Sequence, residues 1–134
     1  LVQPFEFLSK VQNALTPGGA AIFTTPNANG LELAALPYNG YRPLAHAVFP
    51  PMHLNAFSTE NISHFALRVG MQARSIQTPG SLDVDLVTVA KNFLKEEVYR
   101  ALAETDQSTR ALVQALIRHL KCSSHMLVEL TAPN

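Results

Sequence analysis

Apolar and polar positions alternate along this chain with periods that change from segment to segment. Phe5, Leu8, Val11 and Leu15 recur at steps of three, three and four, which predicts an amphipathic helix over residues 3–15. Pro4 suits its first turn, and Thr16-Pro17-Gly18-Gly19 ends it, with glycine accepting the positive φ of a tight exit. The run 20–25 is continuously apolar and β-branched and closes on Pro26-Asn27, predicting a strand covered on both faces, as in a parallel sheet. Periodicity then fails over 28–57, where Pro37, Pro43, Pro50 and Pro51 forbid any long regular element. Ser58 caps a predicted helix whose buried stripe is Ile62, Phe65, Ala66 and Val69, ended by Gly70. A weak alternation over 71–78 predicts an edge strand. The segment from Leu82 is ambiguous, but its pattern is too long for one strand and predicts a helix through Tyr99. A clearer helix over 108–121 places Leu112, Val113, Leu116, Ile117 and Leu120 on one face, and 125–131 reads as a closing strand.

Composition adds exclusions. The 134 residues suffice for one hydrophobic core. Ten basic residues balance ten acidic ones, so the electrostatic footprint of a nucleic-acid binder or a polybasic membrane module is missing. No apolar run approaches the roughly 18 residues of a membrane span. Cys122 is the single cysteine, which forbids an intrachain disulfide and points to a reducing, cytoplasmic setting. Charged residues are only 15% of the chain, a share that predicts much covered surface. The chain opens on Leu1-Val2-Gln3-Pro4, directly in helical periodicity and without an initiator Met, which predicts part of a longer protein.

Three stretches, in this order, carry a resemblance: Leu15-Thr16-Pro17-Gly18-Gly19 with 20–27, then His53-Leu54-Asn55-Ala56-Phe57-Ser58, then Thr78-Pro79-Gly80-Ser81-Leu82-Asp83-Val84-Asp85. Ser123-Ser124-His125-Met126 before the last strand adds to it. The chain resembles the C-terminal half of a class I S-adenosylmethionine-dependent methyltransferase of the small-molecule type. The resemblance implies an α/β fold, the C-terminal part of a doubly wound, Rossmann-like sheet. Residues 20–25 would be its fifth strand, 71–78 its sixth, and 125–131 an antiparallel seventh between them. The whole of 1–134 would then be one partial domain, the substrate-side half, with 28–57 as lid or pocket wall and 82–121 as a helical insertion. The family grips S-adenosylmethionine with a Gly-rich loop and an acid on the ribose. This chain has no G-x-G-x-G, so the resemblance implies a fragment that does not bind the cofactor or turn over by itself.

Methyl transfer needs alignment, desolvation and sometimes a base. His53 is the candidate base, since imidazole accepts a proton near neutral pH; ordering of its loop is the alternative. Asn27, at the C-terminal end of the apolar strand where open α/β sheets place ligands, could orient a substrate or complete a turn. Tyr38, Tyr41, Phe49 and Asn55 are the other candidates for a substrate pocket, while Phe57 reads as a hydrophobic staple. His46 and His53 lie seven apart without cysteine or paired carboxylates, so no metal site is expected. Asp83 and Asp85 read as capping residues and Cys122 as structural. The competing function is a non-catalytic module that associates with itself or a partner through an exposed strand edge or apolar face.

Overall fold

The computed structural model describes residues 1–36, 50 and 52–133. Among them, helices α1 (Pro4–Ala14), α2 (Leu31–Ala35), α3 (Asn61–Arg68), α4 (Asp83–Val89), α5 (Glu97–Ala103) and α6 (Gln107–His119) accompany strands β1 (Ala20–Pro26), β2 (Gln72–Gln77) and β3 (His125–Thr131). The three strands form one sheet in the order β1-β3-β2, with β3 antiparallel to both neighbours. β1 and β2 therefore run parallel to each other, separated by the last strand of the chain.

One face of this sheet carries the main core. Met126, Val128 and Leu130 of β3 are buried there, flanked by Phe23 and Ala21 of β1 and by Ala73 and Ile76 of β2. Leu8 of α1 and Ile62 and Ala66 of α3 pack onto them. Ser58 caps the start of α3 reciprocally: its Oγ accepts from Asn61 N at 3.2 Å, and its own N donates to Asn61 Oδ1 at 2.8 Å. Phe57 then packs on Phe65 with ring centroids 5.1 Å apart. Gly70, at φ +78°, leads from α3 to the buried Met71 in a conformation that side chains resist.

The opposite face is less covered. Expected to be buried on both sides, β1 instead alternates, and Ile22 is 67% exposed. It lies at an edge of the described sheet and packs only the Ala21 and Phe23 side. β2 is the other edge, as its weak alternation predicts, and a bulge interrupts it between Ala73 and Ser75. Across it Arg74 pairs with Glu129 at 3.1 Å on the polar face.

A second core joins α2, α4 and α5 through Ala35, Leu36, Val87, Ala90, Leu94 and Ala103. The single helix expected through Tyr99 is broken here. α4 stops at Val89, a 3₁₀ turn covers Lys91–Phe93, and an extended Leu94 drops into this core before α5 begins. The helix predicted over 108–121 is α6, and of its predicted inner face Ile117 is buried while Leu112, Leu116 and Leu120 are exposed. Gln114 is buried as well. No helix among the described residues is long and apolar enough to cross a membrane.

Candidate functional site

The C-terminal end of β1 opens into a cavity of about 340 Å³. Phe23, Thr24 and Thr25 of β1 form one wall, Phe7 and Leu8 of α1 a second, and Ile62 and Phe65 of α3 a third. The segment 52–57 closes it, bringing in His53 and Asn55. That segment is held against the end of β1 by a parallel bridge between Asn27 and Phe57, in which Ala28 N donates to Phe57 O at 2.7 Å. A mostly apolar hollow of this size with a few polar groups is the usual form of a small-molecule site.

His53 is half-buried, and its Nδ1 is shielded from solvent with no hydrogen-bond partner among the described residues. Buried ring nitrogens are normally satisfied, so the unpaired Nδ1 of this cavity-lining histidine is the group left to look for a partner. Asn55 also lines the cavity, and its Nδ2 donates to Leu1 O at 2.7 Å. Its amide ties the segment to the start of the chain. Tyr38, Tyr41 and Phe49 lie outside the described residues, as does His46.

Of the two roles expected for Asn27, its contacts are those of the second, completing a turn. It is fully buried; its Nδ2 donates to Lys121 O at 2.9 Å and Ser123 O at 2.8 Å, and its Oδ1 accepts from Asn29 N at 3.1 Å. With all three contacts made inside the chain, it completes a turn and fastens the end of β1 to the segment before β3. Lys121 adopts φ +58° in that segment, and Cys122 beside it is half-buried with Sγ 3.4 Å from Leu120 O.

Sequence patterns missed the polar junction built around Ser123 and Ser124. Asp83 does not cap α4; its Oδ1 accepts from Ser124 N at 2.6 Å and its Oδ2 from Gln114 Nε2 at 2.6 Å. Gln114 also donates to Gly80 O and accepts from Val84 N, both at 3.0 Å. Gly80 is needed here because a Cβ would stand 2.6 Å from Asp83 Oδ2 and 2.9 Å from Ser123 Cβ. Burial alone would raise the Asp83 pKa, but the hydrogen bonds from Ser124 and Gln114 outweigh it and the net shift is downward. Glu32, on α2, is buried nearby without comparable donors. Burial, reinforced by the Asp83 charge, lifts its pKa from 4.5 to about 7. The Ser124 hydroxyl tempers that shift while falling short of well-formed hydrogen-bond geometry. No spacing rule marks Glu32 or Gln114, because their partners are distant in sequence.

Among the described residues no three His, Cys, Asp or Glu side chains gather as a metal site would require. Among the described residues, the cavity also has no carboxylate that could grip a ribose diol, since the polar side chains that line it there are those of Thr24, Thr25, His53 and Asn55. These residues do not fit S-adenosylmethionine.

No family model matches the chain, and no curated protein does. Among solved structures it is similar to Haemonchus contortus phospholethanolamine N-methyltransferase 2, in complex with phosphomonomethylethanolamine and S-adenosylhomocysteine. The TM-score is 0.48 at 14% identity, over 100% of this chain and 31% of that one. The chain thus spans less than a third of that protein's length.

Proposed function

We propose that this chain is the acceptor-side part of an S-adenosylmethionine-dependent methyltransferase that acts on a small molecule in the cytoplasm. The observation that carries the reading is the sheet order β1-β3-β2 with an antiparallel last strand between two parallel ones. It agrees with the arrangement of strands five, seven and six that the sequence resemblance implies. Residues 28–57 are then the pocket wall and 82–121 an insertion ahead of the seventh strand. The acceptor occupies the cavity beside His53, whose Nδ1 takes up the proton that the acceptor loses, and the phenylalanines exclude water from it. The cofactor is held by residues outside these 134, so the chain alone neither binds it nor turns over.

The test lies in the reading frame upstream of Leu1. A Gly-rich loop following a predicted strand is expected within roughly the hundred residues before it, a normal domain size. A frame that encodes no such loop overturns the reading. A second reading, an interaction module without catalysis, draws on the exposed Ile22 of β1 and on Leu112, Leu116 and Leu120 of α6. It gains if the loop is missing and the chain sediments as a dimer or larger assembly.

A further inference from the structure

Away from the His53 cavity, α4 and α6 enclose a second hollow of about 300 Å³. Gln107, Arg110, Gln114 and Arg118 line it from α6, Ser81 from the turn before α4 and Asp85 from the first turn of α4. Arg110, Gln114 and Arg118 follow each other at intervals of four, so they share one face of the helix. The central Gln114 is fixed by its bonds to Gly80, Asp83 and Val84, which gives the hollow a rigid floor. The two arginines are not fixed in this way. Arg110 Nε is buried and has no hydrogen-bond partner among the described residues. The ion pairs found among those residues are Lys10–Glu6, Arg74–Glu129 and Lys91–Glu104, so neither guanidinium is paired with an acid.

A buried guanidinium N–H without an acceptor is costly, and the planar fork of arginine matches an oxyanion. Two guanidinium groups stand against two carboxylates, Asp85 in the wall and Asp83 beneath Gln114, so the charges around the hollow balance. That balance suits a monoanion better than phosphate, whose second charge would face Asp85. We propose that this hollow binds a small carboxylate held between the guanidinium groups of Arg110 and Arg118. The site is independent of methyl transfer and of the His53 cavity.

The arginine Nε–Hε signals of the whole chain, followed by NMR during titration with sodium acetate, test this. Sodium chloride at matched ionic strength serves as the control and inorganic phosphate as the rival anion. A saturable shift of the Arg110 signal is expected with acetate, none with chloride, and weaker binding of phosphate. Backbone amide shifts should show acetate affinity falling about tenfold or more in Arg110→Gln, the loss of one charged hydrogen bond. Arg110→Lys, which keeps the charge and the helix but not the fork, should also weaken it. Acetate shifts no different from those of chloride, tighter binding of phosphate, or unchanged affinity in Arg110→Gln would each overturn the assignment.

Discussion

Glu32 carries the least comfortable ionisation in the fold. Its folded pKa of about 7 lies above its ordinary 4.5, so between those values the folded chain holds more protons than the unfolded one. Stability from this group is full below pH 4.5 and is lost as pH rises toward 7. Asp83 acts oppositely, contributing above its ordinary 3.8 and losing that contribution as pH falls through its lowered folded value. Glu32→Gln should therefore match the parent in stability near pH 4 and exceed it by about 2 kcal/mol at pH 8. Urea unfolding at the two pH values checks this, and an equal difference at both would refute it. Lys121 sits at φ +58°, where a side chain is strained. Lys121→Gly should stabilise the chain by about 0.5 kcal/mol, the relief of strain exceeding the added entropy of the unfolded state. A loss of stability in the same assay would show that the Lys121 side chain does more than occupy the turn.

At the level of elements, α6 shows how long-range polar bonds set the orientation of a helix. Leu112, Leu116 and Leu120 look like an inner face by spacing alone, yet the helix turns Gln114 inward because three partners at Gly80, Asp83 and Val84 await it. Gln114→Ala leaves those groups unsatisfied and should cost about 3 kcal/mol, read as a lowered urea midpoint. A loss below 1 kcal/mol would mean that water replaces the side chain without penalty. The three strands were legible in the sequence because short apolar or alternating runs lie between turn residues, and 125–131 coincides with β3, although the two-sided burial read from the run 20–25 was not borne out. The stripe of α3 was legible for the same reason, with Ile62 and Ala66 buried as predicted. The break after α4 was not, because it follows from Leu94 joining a core with Ala35 and Ala103. In the site, His53 and Asn55 were found from their motif and do line the cavity, whereas Asn27 turned inward to carbonyls more than ninety residues away.

For the whole molecule, the low charged fraction and the uncovered side of β1 belong together. Ile22 is exposed on a strand whose composition is that of a buried one. On the proposed reading, this surface packs against the cofactor-binding half, and the neutral, weakly charged chain is one part of a larger sheet. The resemblance and the strand order point the same way, but cofactor binding separates this account from its rival most directly. Two proteins should be titrated calorimetrically with S-adenosylmethionine: this chain, and the same chain extended upstream by the cofactor-binding half that the proposed reading places before Leu1, roughly one hundred residues. The account predicts saturable binding to the extended protein and no binding heat with the chain alone. Binding by the chain alone, or none by the extended protein, would contradict it.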